Sequence, residues 1–273
     1  MSEKRTIVVT GASDGIGAAS ARQLRAKGHD VVLVGRSPEK TQRVAEELGV
    51  EGHVADFTEL AQVRGLAEKL LANHPRIDVL ANNAGGTFGR ETTVDGFDKT
   101  LQVNHLAPFL LTRLLRDRLL ESDASVIQTS SRAHLLSGRL DHDDQGPTGT
   151  WTATKAYGAA KLANALFTVE LHRRFHRHGL RAAAFHPGVI RTNFASDTSS
   201  MMRVVWRTPL SRLLTNVETG GGRLTWLADG TPGRTWRSGS YYVDNREAPV
   251  NPLVHDAGLA ARVWDRSEEL LGL

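Results

Sequence analysis

Residues 8–17 read Val-Val-Thr-Gly-Ala-Ser-Asp-Gly-Ile-Gly, and this stretch decides the fold. An apolar run ends there in Gly11, Gly15 and Gly17, and a helix-compatible stretch follows at residues 18–26. A strand, a glycine-rich turn and a helix in this order suit a pyrophosphate, because small residues let the backbone approach it and the helix N-terminus presents free N–H groups. The Gly-x3-Gly-x-Gly spacing differs from the commoner Gly-x-Gly-x2-Gly. An ordinary strand-to-helix turn therefore remains the alternative at this point.

The rest of the chain alternates strand-like apolar runs with amphipathic stretches, which indicates βαβ units. We predict strands at residues 6–10, 30–34, 51–55, 78–81, 125–129, 181–185 and 240–243, and helices at 15–27, 38–48, 59–73, 96–120, 152–178 and 217–228. The pattern predicts one α/β domain over residues 1–273, a Rossmann fold. Its doubly wound parallel sheet would have about seven strands, with helices on both faces.

Composition excludes several classes of protein. The chain has 273 residues and no cysteine, which excludes disulfides, thiolate metal sites and cysteine nucleophiles. The net charge of +4 is mild and aromatic residues make up 6%, so we expect no nucleic-acid partner. The N-terminus runs straight into a strand-like segment, and no apolar run approaches the ~18 residues of a spanning helix. We therefore expect a cytoplasmic protein without a membrane span.

Two regions interrupt the alternation. Residues 137–151 form a polar loop whose Asp-His-Asp-Asp run at 141–144 could suggest a metal, but consecutive residues rarely converge on one ion, so we predict no metal site. Residues 193–216 carry methionines, leucines and a tryptophan among arginines. We expect this insertion to cover the substrate, with a simple cover over the core as the alternative.

The second predicted strand ends in Gly35 and Arg36. In dinucleotide-binding folds an acidic side chain at this place holds the adenosine ribose hydroxyls. A guanidinium instead attracts a 2′-phosphate through charge-assisted hydrogen bonds and can stack on adenine. The position therefore favours NADP(H) as the cofactor, with a plain surface arginine as the alternative.

Polar and small residues follow the third and fourth predicted strands. Asp56 comes after the third strand, where its side chain could accept a hydrogen bond from the adenine amino group. Asn82, Asn83, Ala84 and Gly85 come after the fourth. These residue types are also ordinary turn formers, but their shared place at the carboxyl edge favours a cofactor site.

Tyr157 and Lys161 are four residues apart and lie on one face of a predicted helix. A free tyrosine has a pKa near ~10, and a neighbouring lysine cation would lower it by stabilising the phenolate. The tyrosine could then exchange a proton with a substrate oxygen. Ser130 and Ser131 close the fifth strand, where a serine can bind the same oxygen. Asn104 lies mid-helix, which is mildly unfavourable, so we expect it to hold a water or a kink in the backbone.

These motifs in this order resemble the short-chain dehydrogenase/reductase family over nearly the whole chain. The strings at residues 130–134, 161–164 and 186–189 look most like its retinol-dehydrogenase-like and protochlorophyllide-reductase-like branch. The resemblance rests on the motifs Thr10-Gly11-x3-Gly15-x-Gly17, Asn82-Asn83-Ala84-Gly85, Asn104, Ser131, Tyr157-x3-Lys161 and Pro187-Gly188.

The resemblance implies a role for each residue. Tyr157 would be the general acid in reduction, Lys161 would bind the nicotinamide-ribose hydroxyls, Ser131 rather than Ser130 would orient the carbonyl, and Asn104 would hold a water in a proton relay. The implied cofactor-binding residues are Gly11, Ser13, Asp14, Gly15, Ile16, Gly17, Arg36, Asp56, Phe57, Asn83, Ala84, Gly85, Tyr157, Lys161, Pro187, Gly188, Val189, Ile190 and Thr192, of which the last three would contact the nicotinamide amide.

Some residues depart from the family pattern or invite other interpretations. Asp14 stands where NADP-preferring members often carry a basic or neutral residue, and it could weaken phosphate affinity locally. Residues 86–87 also differ from the branch, so a retinoid substrate does not follow. We expect His105, His134 and His186 to be packed or capping residues, with a place at the substrate entrance as the alternative for His134, which closely follows Ser131.

The sequence thus predicts an NADP(H)-dependent oxidoreductase that transfers a hydride between the nicotinamide and a small-molecule carbonyl or alcohol. The hydrophobic residues of 193–216 suggest an apolar, medium-sized substrate. The alternatives are a non-catalytic NADP(H)-sensing protein and an isomerase or dehydratase that retains its cofactor. A homo-oligomer is compatible with all three hypotheses.

Overall fold

Eight strands form one sheet in the order β3-β2-β1-β4-β5-β6-β7-β8 in the computed structural model, which describes residues 3–136, 152–188 and 215–273. β1 to β7 are parallel, and β8 pairs antiparallel with β7. The strands are β1 (Thr6–Thr10), β2 (Asp30–Gly35), β3 (Glu51–Val54), β4 (Val79–Asn82), β5 (Ser125–Thr129), β6 (Arg181–His186), β7 (Ser240–Val243) and β8 (Arg246–Glu247). This doubly wound order confirms the predicted Rossmann fold.

The helices agree with the prediction except in two places. The helix predicted at 96–120 is broken into α4, a π-helical turn at Gln102–Leu106, α5 and α6, and a C-terminal helix, α9, was not predicted. The helices are α1 (Gly15–Ala26), α2 (Pro38–Leu48), α3 (Leu60–Asn73), α4 (Lys99–Leu101), α5 (Ala107–Leu114), α6 (Arg116–Glu121), α7 (Ala153–Phe175), α8 (Val217–Asp229) and α9 (Ala257–Leu271), with 3-10 turns at Arg132–Leu136, His176–His178 and Pro252–His255.

Helices cover both faces of the sheet, because alternate residues of each strand point to opposite faces. In β1, Ile7 and Val9 pack with residues of α1, α2 and α8. Val8 packs on the other face with residues of α3, α5, α7 and α9. The two cores fix the strands so that their carboxyl ends lie along one edge, where such folds bind their ligands.

Local sequence signals explain several helix ends. Ser37 caps α2 by accepting from the backbone N–H of Lys40, Pro38 follows it, and the helix ends at Gly49 with φ +61°. No helix among the residues that the structure describes is long and apolar enough to cross a membrane.

Candidate active site

The glycine loop between β1 and α1 folds tightly against its own helix. Gly11 has φ +65°, which favours glycine, and Asp14 caps α1 by accepting from the backbone N–H of Gly15 at 2.8 Å. A Cβ atom on Gly17 would lie 2.3 Å from the carbonyl oxygen of Gly11. The absence of side chains at Gly11 and Gly17 lets a ligand approach the backbone of the loop closely, as a pyrophosphate site requires.

The close approach at Gly17 gives a test of this loop. We expect Gly17→Ala to lower the free energy of unfolding by about 1–3 kcal/mol, because the added methyl group meets backbone atoms that cannot move aside. Cofactor affinity should fall as well. The measurements are thermal unfolding and a fluorescence titration with NADPH.

Gly65→Ala is the matched control for that substitution. Gly65 lies inside α3, and a Cβ atom there would meet nothing within 4 Å. This variant should be as stable as the parent, or more stable by about 0.5–1 kcal/mol. Equal stability and cofactor affinity in Gly17→Ala and Gly65→Ala would contradict the tight-loop interpretation.

Side chains join the glycine loop to the end of β4. The hydroxyl oxygen of Thr10 accepts from the backbone N–H groups of Asn83 at 2.9 Å and Ala84 at 3.0 Å. The amide of Asn83 donates back to the carbonyl oxygen of Thr10 at 2.9 Å. The Asn83 side chain therefore holds two loops together, while Gly85 beyond it leaves its backbone free to approach a ligand.

The expected adenosine end of the site lies at the ends of β2 and β3. Arg36 is exposed, and it has no hydrogen bond or ion pair with another described residue. Gly35 lets Ser13 come close, because a Cβ atom on Gly35 would lie 2.6 Å from that of Ser13. Asp56 accepts from both the backbone N–H and the hydroxyl of Thr58. Phe57 is buried in the core, so its side chain is not available to a cofactor.

Asp14 is paired with a basic residue that the sequence analysis missed. The Lys40 ammonium lies 2.8 Å from the Asp14 carboxylate, and this hydrogen bond lowers the pKa of Asp14. Arg43 adds a weaker effect in the same direction. The negative charge expected to weaken phosphate binding is therefore balanced. Lys40 could have been found as a basic residue in the first turn of the helix that follows the Arg36 strand.

Helix α7 places the proposed catalytic side chains beside the end of β5. The Lys161 Nζ atom lies 5.4 Å from the ring centroid of Tyr157 and donates to the carbonyl oxygen of Thr129 at 2.9 Å. The hydroxyl groups of Tyr157 and Ser131 are hydrogen-bonded. Ser130 instead donates to the Lys161 carbonyl oxygen and is buried. The structure thus brings Ser131, rather than Ser130, to the tyrosine.

Burial dominates the electrostatics of this pair. It raises the pKa of Tyr157 well above its ordinary value, and the hydrogen bond with Ser131 lowers it by less. Burial also lowers the pKa of Lys161 to about 7. The expectation that Lys161 lowers the tyrosine pKa is therefore wrong for this form of the chain. The Lys161 ammonium donates to the Thr129 carbonyl oxygen. The loss of solvent around Tyr157 has a larger effect on the tyrosine pKa than the lysine has.

Asn104 lies in the π-helical turn, a feature that often marks functional sites. Its side-chain amide donates to the carbonyl oxygens of Gly86 and Thr100, both at 2.8 Å. Its own carbonyl oxygen accepts from the Asn164 side chain at 2.9 Å. The predicted kink is present, and it seats the Asn104 side chain on the strand-end loop.

Asn164 connects the π-helical turn to the lysine site. Besides Asn104, its amide lies 3.3 Å from the Thr129 carbonyl oxygen that accepts from Lys161. A Cβ atom on Gly85 would lie 2.6 Å from the Asn104 side-chain oxygen and 3.3 Å from the Lys161 Nζ. Asn104, Asn164 and Lys161 therefore form one continuous polar group behind Gly85.

The three histidines are structural in different ways. His105 lies 3.2 Å from Asn164 and 2.9 Å from Ser267, and burial lowers its pKa to about 4. Burial likewise lowers the pKa of His186 to about 4. His134 is fully buried, contacts the Ser131 carbonyl oxygen and packs edge-on against Tyr241. His134 is therefore a packed residue, and the alternative that it faces the substrate entrance is wrong.

The segment after β6 is held by Arg223, which donates to the Pro187 carbonyl oxygen at 2.7 Å. Gly188 has φ +103°. Val189, Ile190 and Thr192, most of the predicted cover at 193–216 and the polar loop at 137–151 lie outside the described residues. Their roles stay predictions.

Known proteins are similar to this chain in sequence over nearly its whole length. The sequence profile described as short chain dehydrogenase matches residues 5–203. A protein of Streptomyces sp. (strain C5), provisionally named a daunorubicin C-13 ketoreductase, is 42% identical over 98% of this chain and 93% of its own length. Human retinol dehydrogenase 13 is 35% identical over 98% of this chain and 85% of its own length.

Solved structures agree with these similarities. An uncharacterized protein from Mycobacterium paratuberculosis has a TM-score of 0.78 and 33% identity, covering 98% of this chain and 93% of its own. A Shigella flexneri protein described as a short chain dehydrogenase complexed with NADP has a TM-score of 0.68 and 26% identity, covering 89% of this chain and 97% of its own.

Proposed function

The chain belongs to the short-chain dehydrogenase/reductase family, and from that premise we propose that it is an NADP(H)-dependent reductase of carbonyl groups with Tyr157 as the proton donor. Oxidoreductases of this family act on carbonyl and alcohol groups. One observation carries the finer proposal: Tyr157 and Ser131 are hydrogen-bonded to each other beside the buried Lys161.

Tyr157 would supply the proton in the reductive direction. A phenol that holds its proton at neutral pH can donate it to the oxygen of a carbonyl that is being reduced. Ser131 would donate a hydrogen bond to the same oxygen and fix its position next to the tyrosine hydroxyl. NADPH, when bound, supplies the hydride.

Lys161, held by Thr129 and Asn164, would form the part of the site that binds the cofactor ribose. The ammonium donates to Thr129, and Asn164 holds that same carbonyl oxygen. Lys161 is therefore fixed close to Gly85, where it could bind ribose hydroxyl groups. Polar partners such as ribose hydroxyl groups would favour the charged form of Lys161, which burial disfavours.

The named relatives support a carbonyl on an apolar, medium-sized molecule. One relative is named for a daunorubicin C-13 ketone and another for retinol. The apolar residues predicted to cover the site, among 193–216, agree with such a substrate. We infer the size and polarity of the substrate from these two observations together.

A direct assay tests the proposal. NADPH and NADH are titrated separately, and aldehydes and ketones of graded size and polarity are then screened by the absorbance of the reduced nicotinamide. We expect NADPH oxidation with apolar ketones or aldehydes. Cofactor binding without turnover across the panel would favour the sensing protein, and conversion without net oxidation would favour the isomerase or dehydratase.

Arg36→Ala should raise the Kd for NADPH by about 10–100-fold, because a charge-assisted hydrogen bond to the 2′-phosphate contributes about 1.5–3 kcal/mol. The Kd for NADH should change by less than about threefold, since NADH lacks that phosphate. Lys40→Ala should act in the same direction with a smaller effect, because Lys40 also compensates Asp14.

Arg234→Ala is the control, because Arg234 is an equally exposed arginine that lies just before β7, at the amino edge of the sheet. It should leave both affinities unchanged. Equal losses of NADPH and NADH affinity in Arg36→Ala would overturn the cofactor assignment.

A further inference from the structure

Glu51, His53 and His74 converge at the outer edge of the sheet, where β3 meets the end of α3. Glu51 begins β3, the edge strand, and His53 lies two residues on, so both side chains point to the same face. His74 follows α3 and leads towards β4. The strands β2, β1 and β4 separate β3 from β5, which leads to the proposed catalytic side chains.

The three side chains face one another through their metal-binding atoms. The His53 Nε2 lies 2.9 Å from one carboxylate oxygen of Glu51, and the His74 Nε2 lies 3.2 Å from the other. One ligand atom from each residue lies within 4.8 Å of the other two. Both Nε2 atoms are buried and neither makes a hydrogen bond with good geometry. The two imidazole rings therefore share the Glu51 carboxylate as a close neighbour.

We propose that Glu51, His53 and His74 form a binding site for a divalent transition-metal ion of the zinc class. Two imidazoles and a carboxylate are a set that zinc accepts, with water in the fourth position. Ligand atoms at ~2.0–2.1 Å from one tetrahedral ion lie about 3.3 Å apart. The observed 2.9 and 3.2 Å separations, each to a different oxygen of Glu51, are close to this value, and all three ligand atoms lie within 4.8 Å of one another.

The surroundings hold these ligands in place. The side chains of His53 and His74 are only 10% and 14% exposed, while that of Glu51 is 39% exposed, so an ion could enter from the carboxylate side. Asn73 donates to the Glu51 carboxylate at 3.0 Å and so orients it. Lys69 carries a positive charge near His53, which opposes cation binding.

A bound ion would join the edge strand to the connection between α3 and β4. Its expected effect is on stability and not on catalysis, because the site is remote from Tyr157. No metal site was predicted here from the sequence, because His53 and His74 are 21 positions apart and form no recognisable motif.

Calorimetric titration of the metal-free full chain with Zn²⁺ tests the proposal. We expect binding that saturates at one equivalent, and a rise in Tm of about 5 °C when free Zn²⁺ exceeds its Kd by about 100-fold. His53→Gln and His74→Gln should each weaken binding by at least about tenfold. Lys69→Gln should strengthen it.

His176→Gln is the matched control, because His172 and His176 form another histidine pair with ring centroids 4.4 Å apart. It should leave the affinity and the Tm shift unchanged. If the histidine variants fail to fold, Glu51→Ala decides, since Glu51 is exposed and should weaken binding as strongly. An unchanged Zn²⁺ affinity in the folded ligand variants, or a loss confined to His176→Gln, would overturn the proposal, as would no binding at all.

Discussion

Tyr157→Phe is expected to lower kcat for carbonyl reduction by about 10²–10⁴-fold, the usual contribution of a positioned proton donor. The substitution removes only the hydroxyl group that is hydrogen-bonded to Ser131 and leaves the ring in place. The Kd for NADPH should change little, because the glycine loop and the Arg36 region are untouched. Steady-state kinetics and a cofactor titration on the same preparation measure both quantities.

Tyr242→Phe is the matched control, because the Tyr242 hydroxyl accepts from the Arg237 backbone N–H and lies outside the proposed site. This variant should lose some stability and keep its turnover. If Tyr157→Phe retained nearly full activity, another group would have to supply the proton, and the proposed mechanism would be wrong.

Lys161→Met is expected to abolish useful turnover and to make the cofactor-free protein more stable. Lys161 is only 2% exposed, and in the described part of the chain its ammonium has one hydrogen-bond partner, the Thr129 carbonyl oxygen. Methionine has a similar volume and no charge to desolvate. In this variant the Thr129 carbonyl oxygen would still accept from the Asn164 side-chain amide, which lies 3.3 Å away. We expect a gain of about 1–4 kcal/mol at neutral pH.

The gain in stability should depend on pH in a defined direction. Burial lowers the pKa of Lys161 from 10.5 to about 7, so between these values the unfolded chain binds a proton that the folded chain lacks. The stability of the parent therefore rises with pH across this window, by at most about 1.4 kcal/mol per pH unit. The advantage of Lys161→Met is largest below pH 7 and disappears towards pH 10.5.

Denaturant unfolding of both proteins over this pH range measures the difference. A constant difference, or one that grows with pH, would contradict the lowered pKa. Activity should fall by at least about 10²-fold at every pH, since methionine can neither bind ribose hydroxyls nor act on Tyr157. The lysine would then be a group kept for function at the expense of stability.

Much of the fold was predictable because it rests on local signals. The glycine spacing at residues 11–17 and the apolar runs of β1, β5 and β7 gave strand bounds that the structure reproduces. Tyr157 and Lys161 share a face of α7 because four residues make about one helical turn. Such features need only short-range geometry.

Other features depend on tertiary packing, so the sequence alone could not reveal them. α9 was missed although its Trp264 is buried among Phe109, Phe167 and Phe175, because that core forms only when distant segments meet. β8 follows a turn in which Asp244 and Asn245 both have positive φ, a conformation that their sequence does not require. The raised pKa of Tyr157 was also missed, because the burial of a side chain cannot be inferred from the spacing of residues in the sequence.

The π-helical turn at Gln102–Leu106 contains one residue more than an α-helical turn. This extra residue sets the angle around the helix axis between the side chains before the turn and those after it. Each residue of an α-helix advances about 100° around the axis, so regular winding through this segment would rotate its first part by about that angle relative to its second. Asn104 would then leave Gly86, or Phe109 would leave the aromatic cluster around Trp264. The number of residues between these contacts is therefore as constrained as their identity, and a one-residue deletion would break either the contact of Asn104 with Gly86 or the packing of Phe109 against Trp264.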